Sequence, residues 1–328
     1  MTRAFRKIFD LLPVLALAFL LAAGTTACKK EVPPPPPPPP TPTPVPPAGN
    51  VVFTQSGHLF RVNLKGMEVT PLTGGKSTEW FPALSPLGDE ILYWSDAGEG
   101  GVYNLWKIKI DGTGRTQLTF NDINAITDAS QNLHINNAPS WSFDAKKIVY
   151  SLDGDIWMME PDGFNPETVL LGYGAFCPHF SKDGLTVFFI ARHGDPVYNL
   201  WSVSLLDRSV KKVTPYTEWN VGSPSLSPDG RRVLYCLYKE NVSQVYVCNP
   251  DGTAPLNLTS DKRSLMPRWA ENGNKVIYCT SSVEAPELNV FMMNSNGTDP
   301  KPITTSQGTS PTWGPQYLMV PLPTPVGK

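Results

Sequence analysis

The chain writes one phrase over and over. "FPALSPLGDEILYW" (81–94), "NAPSWSFDAKKIVY" (137–150), "FCPHFSKDGLTVFF" (176–189), "SPSLSPDGRRVLYC" (223–236) and "LMPRWAENGNKVIY" (265–278) share a proline, a turn and an apolar run. The equivalent proline stands at Pro82, Pro139, Pro178, Pro224, Pro267 and Pro311, with spacings of 57, 39, 46, 43 and 44 residues. A period near 40–45 residues built from short β-like segments points to a β-propeller.

One unit shows the grammar. "PSLS" reads as a first strand and "SPDGR" as a tight turn. Pro228 presets the first turn dihedral, and Gly230 supplies a positive φ. "RRVLYCLY" is apolar and β-branched, a second strand; after the loop "KENVS", "QVYVCN" alternates as a third; "PDGT" turns again and "PLNLT" closes the unit. The same reading gives third strands at "YNLWKIKI" (103–110), "DIWMME" (155–160), "NLWSVSL" (199–205) and "LNVFMMN" (288–294). The expectation is an all-β fold, a six-bladed β-propeller of four-stranded antiparallel blades. Five blades are continuous in sequence. The sixth is split, "VVFTQ", "HLFRVNL" and "VTPLT" near the start pairing with "SPTWG" (310–314), which closes the ring and removes exposed strand edges.

"SPDGRRVLY" and "YNLW…DGTGRTQLT" resemble the repeats of the TolB-type six-bladed propeller, a relative of the WD-type propellers, over nearly all of Asn50 to Pro315. The resemblance implies the fold and little more, because binding proteins, scaffolds and the propeller caps of prolyl oligopeptidase-like enzymes share it. TolB carries an α/β domain ahead of its propeller. Here a different kind of segment takes that place.

That segment opens with the basic "MTRAFRK", continues through an apolar run from Ile8 to Ala23, and reaches small residues before Cys28. It reads as an export signal over 1–27 and resembles a bacterial lipoprotein signal, with Cys28 as the lipidated residue. Thr25 stands where that pattern usually has Leu, so an ordinary cleaved signal and a secreted chain is the alternative. Lys29 is compatible with outer-membrane sorting in the lipoproteins it resembles. Residues 28–49 form a proline-rich linker, including eight consecutive prolines from Pro33 to Pro40. As polyproline II, Val32–Pro47 spans about 50 Å, a stiff stalk. Residues 316–328 read as a proline-containing C-terminal tail. The expected location is the cell envelope, with the propeller in the periplasm or at the cell surface and the membrane reached through Cys28.

The formal net charge of −2 implies no bulk attraction to nucleic acid, and no second apolar stretch is long enough to span a bilayer. Cys177, Cys236, Cys248 and Cys279 show no metal-ligand spacing. Cys236 and Cys248 fall on neighbouring strands, and both disulfides and buried free thiols fit. No G-x-S-x-G elbow, HExxH, P-loop, dinucleotide fingerprint or calcium loop appears, and too few residues follow the last repeat for an appended catalytic domain. Acidic residues concentrate in turns, where they bond backbone. The reading is therefore non-catalytic, with no cofactor and no metal.

Loop length sorts the two faces of the ring. Turns between strands one and two, and between three and four, are short; the other face carries "SDAGEGGV" (95–102), "RHGDPV" (192–197), "SSVEAPE" (281–287) and the long connection Phe120–Asn137 that explains the 57-residue spacing. Candidate anchors there are Trp80 and Trp219, which end the echoes "STEW" and "YTEW" just before first strands, Tyr103 and Tyr198, which open the two "YNLW" strands, Arg192, and His134 of the insertion. Packing between blades is the structural alternative for the aromatics. After the repeated proline most first strands carry a small residue, Ala83, Ser140, Ser225 or Thr312. His179 and Arg268 break that rule and bring large polar groups toward the channel. All four histidines, His58, His134, His179 and His193, map to the loop-rich side in this reading. The functional expectation is a monomeric propeller acting as a protein-binding adaptor or scaffold for an envelope partner. Binding of a glycan or small ligand at the channel mouth around His179 and Arg268 is the alternative, and a metal-dependent propeller enzyme a more distant one.

Overall fold

The computed structural model describes residues 49–313, except 65–66, 99–100, 121–136, 261–262, 271–272, 282–286 and 305–306. Cys28, the proline stalk, His134, most of the long insertion and the C-terminal tail lie outside the described residues.

Six four-stranded antiparallel sheets form the ring. Blade 1 joins β1 (Asn50–Gln55), β2 (His58–Asn63) and β3 (Glu68–Pro71) to β24 (Thr309–Trp313). Blade 2 is β4 (Glu79–Leu84), β5 (Glu90–Ser95), β6 (Asn104–Lys109) and β7 (Thr116–Gln117). Blade 3 is β8 (Ser140–Trp141), β9 (Ile148–Leu152), β10 (Asp155–Met159) and β11 (Glu167–Leu170). Blade 4 is β12 (Phe176–Phe180), β13 (Thr186–Ala191), β14 (Asn199–Ser204) and β15 (Val210–Lys212). Blade 5 is β16 (Asn220–Leu226), β17 (Val233–Lys239), β18 (Val242–Cys248) and β19 (Leu256–Asn257). Blade 6 is β20 (Leu265–Ala270), β21 (Lys275–Thr280), β22 (Asn289–Asn294) and β23 (Lys301–Pro302). The split blade is the one read from the sequence, with Val51 opposite Trp313 and Val52 opposite Thr312. The first strands β4, β8, β12, β16, β20 and β24 contact one another around the channel.

A blade in a ring buries both faces, so its second strand is a nearly continuous apolar run, as in β13, whereas its third strand, as in β14, mixes buried and half-buried positions. The core accordingly divides into six clusters, one at each junction between neighbouring blades. The cluster closing the ring joins Ile277, Cys279 and Val290 of blade 6 to Val51, Phe53 and Trp313 of blade 1.

Local chemistry repeats with the fold. In the first turn Ser181 Oγ donates to Asp183 Oδ1 and Ser227 Oγ to Asp229 Oδ1, each at 2.5 Å. The Ser181 hydroxyl and the Leu185 N–H hold the Asp183 carboxyl below the usual carboxylate range. Acidic side chains of this kind are already occupied by turns. In five blades the threonine after the outer strand accepts the backbone N–H fourteen residues earlier: Leu59 to Thr73, Leu105 to Thr119, Leu200 to Thr214, Val245 to Thr259 and Val290 to Thr304, at 2.9–3.0 Å.

The repeated proline has a structural reason. It cannot donate to a ladder, so inside a strand it sits at an edge or a bulge. In five of the six first strands the residue before it has a left-handed backbone: Phe81, Cys177, Ser223, Met266 and Ser310, with φ between 50° and 55°. The pairing register slips at each of these places. The bulge interrupts the channel-lining strands of these five blades at matching points.

One local expectation is corrected, and one that the sequence left open is decided. "KENVS" is not a loop. β17 runs to Lys239 and β18 starts at Val242, leaving a two-residue hairpin in which Glu240 takes φ 55°. Cys236 and Cys248 do occupy neighbouring strands, yet Cys236 faces Val245 and Cys248 faces Val233. All four described cysteines are free and buried.

Candidate functional site

The channel narrows to a cavity of about 90 Å³ to which all six first strands contribute, among them Ala83, Ser140, His179, Pro224, Arg268 and Trp313. Pro86, Phe143 and Pro228 of the short first turns also line it. It therefore lies toward the short-turn face. This corrects the expectation that His179 maps to the loop-rich side, because the side chain stands one residue from the end of β12, next to the turn.

The bulges shape the cavity. Arg268 Nη1 donates to the carbonyl oxygens of Pro267 (3.0 Å), Ser223 (3.4 Å) and Pro224 (3.5 Å), so its charge rests on backbone of blades 5 and 6. Among the described residues no carboxylate pairs with it. Burial, reinforced by the Arg268 charge, pushes His179 down to about 4, which leaves a neutral imidazole; its Nδ1 lies 3.2 Å from the Phe180 carbonyl oxygen. Burial also pushes the thiols of Cys177, Cys236 and Cys279 up to about 12, 11 and 12 against the opposing pull of Arg268. The Arg268 charge is therefore uncompensated by any of these neighbours. Trp313 was missed in the sequence, although Trp141, Trp269 and Trp313 all stand two places after the repeated proline. The indoles of Trp141 and Trp269 donate to the carbonyls of Ala83 and Ser225 in the preceding blade at 3.0 Å. The buried Nε1 of Trp313 has no acceptor among the described residues.

The loop-rich face carries two neighbouring clefts. One of about 600 Å³ is lined by Gln55, Thr78, Trp80, Leu288 and Gly308 from blades 1, 2 and 6. A second of about 400 Å³ is lined by Tyr238, Asn241, Arg263 and Leu288 from blades 5 and 6. Leu288 belongs to both, and nothing in its repeat position had marked it. Trp80 lines the first cleft, but the echo with Trp219 is out of register. Trp80 is inside β4, two residues before Pro82, whereas Trp219 precedes β16 and packs partly buried against the junction of blades 4 and 5. Tyr103 bonds Thr78, which also donates its N–H to Asp96 at 2.7 Å. Tyr198 stands edge-on to Phe176 at 5.0 Å, with the exposed Arg192 over its ring at 4.4 Å. These side chains are spread around the rim and form no single pocket with Trp80.

The two "TEW" echoes also differ in their glutamates. Glu79 is fully buried, accepting from Arg115 Nη2 (3.0 Å), Thr73 (2.9 Å) and Ser77 (2.8 Å), with His58 Nδ1 at 2.9 Å. Arg115 lies over Trp106 at 5.0 Å. The cluster ties blade 1 to blade 2 beneath the loop-rich face, whereas Glu218 pairs only with Lys239 at the surface. Among the described residues no group of histidine, cysteine or acidic side chains is arranged to hold a metal, and no helix is long and apolar enough to cross a membrane.

The family model described as the TolB β-propeller domain matches residues 125–317, more than half of the chain. The chain belongs to the TolB β-propeller family. TolB from Acinetobacter baumannii superposes with a TM-score of 0.66 at 18% identity, covering 81% of this chain and 67% of that one. The dipeptidyl-peptidase 5 of Porphyromonas endodontalis is 30% identical over 95 residues, 27% of this chain and 14% of the peptidase. The tricorn protease homolog of Saccharolobus solfataricus is 22% identical over 227 residues, 67% of this chain and 20% of the homolog. The chain thus spans no more than a fifth of the length of these two curated relatives. Such likenesses establish a TolB-type propeller and leave its activity to the residues of the chain itself.

Proposed function

We propose that this TolB-type propeller is a non-catalytic scaffold of the bacterial cell envelope that engages a protein partner through its loop-rich face. The observation that carries the reading is the pair of clefts meeting at Leu288, which together cross blades 5, 6, 1 and 2 on the face where the longer loops emerge. Trp80 at one end supplies a large, partly buried amphipathic anchor of the kind that dominates protein interfaces. Cys28 attaches the chain to a membrane and the proline stalk holds the propeller away from it. The acidic side chains bound into turns and the absence of any nucleophile elbow in the sequence favour binding over catalysis.

A photo-crosslinking amino acid at Leu288, introduced in cells, is expected to give one discrete protein adduct that Trp80→Ala abolishes. The same probe at Leu206, on the short-turn face, gives none. Adducts at Leu206 alone, or an unchanged adduct in Trp80→Ala, would sink the loop-face reading. Cys28→Ala is expected to move the protein from the membrane to the soluble fraction, and unchanged fractionation removes the lipid anchor.

A further inference from the structure

The channel cavity is chemically unlike the clefts of the loop-rich face and points to a separate ligand. It holds a guanidinium that meets no carboxylate among the described residues. All three hydrogen bonds of Arg268 leave from Nη1. Arginine carries five N–H donors in a planar fork, so the Nε–Nη2 edge has none of its donors engaged by described protein atoms. Trp313 lines the same cavity with its ring, while its indole N–H is buried away from it, as are those of its counterparts in blades 3 and 6. Buried donors without acceptors are costly and rare. The neighbouring ionisable groups stay neutral, His179 deprotonated and the thiols protonated, so no internal anion discharges the site. The rest of the wall is largely apolar, built from prolines, aromatics and leucines, with Ser140 and Thr312 as its small polar members.

We propose that the short-turn end of the channel is a socket for a single carboxylate group, bound by the free edge of Arg268. A planar carboxylate matches the guanidinium fork with two parallel hydrogen bonds. The volume of about 90 Å³ accepts the carboxylate with a small body attached to it, and not a folded chain. The group arrives either as a small free acid or as the C-terminus of an extended peptide, and both present the same chemistry to Arg268.

The test uses the full chain and ¹³C-carboxyl acetate, followed by NMR line broadening and by calorimetry at constant ionic strength. One saturable site per chain is expected. Arg268→Gln weakens it by tenfold or more, and Arg268→Lys, which keeps the charge and loses the planar fork, by a smaller factor. The exposed Arg231→Gln leaves it unchanged. If Arg268→Gln does not fold, Arg268→Lys and competition by unlabelled formate decide the matter. A short peptide with a free C-terminus is compared with its C-terminal amide. Tighter binding than acetate, lost on amidation, assigns the socket to chain ends, and equal or weaker binding assigns it to small acids. Absence of saturable acetate binding, or binding undiminished in both Arg268→Gln and Arg268→Lys, overturns the proposal.

Discussion

Glu79→Gln removes one negative charge and changes almost nothing in shape. The carboxylate is fully buried and joins two blades, accepting from the Arg115 cation of blade 2 and lying 2.9 Å from the His58 ring nitrogen of blade 1. Breaking a buried pair by neutralising one partner costs ~3–5 kcal/mol, because the other charge is left behind without compensation. Here the Arg115 side chain remains 30% exposed, so water already carries part of its charge. The cost therefore falls to about 2–3 kcal/mol. The hydroxyls of Thr73 and Ser77 can still donate to the amide oxygen, which argues against a larger value. In a domain of this size each kcal/mol moves Tm by ~2–4 °C, so a drop of about 5–10 °C is expected by calorimetry, with a matching shift of the urea midpoint. Combining Glu79→Gln with Arg115→Met isolates the pair, with a coupling of ~1–3 kcal/mol. A loss below about 0.5 kcal/mol, or strict additivity in the cycle, would refute the claim that this cluster locks blade 1 to blade 2.

Thr259→Val strips the acceptor from the Val245 N–H while keeping shape, and should cost ~1–2 kcal/mol in urea unfolding; a neutral result would show that water replaces the hydroxyl. Gly252→Ala combines φ +84° with a new Cβ only 2.0 Å from the Val213 carbonyl oxygen, whereas Gly184→Ala at φ +71° meets nothing within 4 Å. The first should lose at least ~2 kcal/mol and the second about 1 kcal/mol, and equal losses would mean that blade packing yields freely there. His179, held down to about 4 by burial and Arg268, binds fewer protons folded than unfolded, so stability is intact above pH 6.5 and drains as pH falls from 6.5 toward 4. The drain is about 2 kcal/mol once the partial opening to the channel is allowed for, and His179→Asn should flatten that limb relative to the native chain.

The architecture was legible because a propeller repeats its chemistry as well as its shape. The prolines from Pro82 to Pro311, the S-x-D-G turns and the β-branched second strands each fixed one step of the blade, and recurrence multiplied a weak local signal. What stayed hidden depended on contacts between repeats. Arg268 could be picked out as a large residue where four other blades carry a small one, but not that backbone carbonyls bent inward by a bulge would hold it. Trp80 and Trp219 looked equivalent because a three-letter echo says nothing about strand register. Glu79 was passed over for the same reason, since burial and not spacing separates it from Glu218. Leu288 acquires its place only when blades 5, 6 and 1 meet.

The channel socket and the loop-rich clefts should act independently. First strands of five to seven residues in five of the six blades separate the two faces by about 15–20 Å. Coupling across that distance needs an element with two arrangements of similar energy. The ring offers none: each blade is wedged between two apolar clusters, and blade 1 is pinned again by Glu79 and by pairing of both ends of the propeller sequence. A rigid closed ring transmits little, so saturating acetate should leave the crosslink from Leu288 unchanged in yield. A change of several-fold would mean that neighbouring blades shift against one another when the channel fills. The stiffness then belongs to single blades, and the closed ring is a softer assembly than its six separate cores imply.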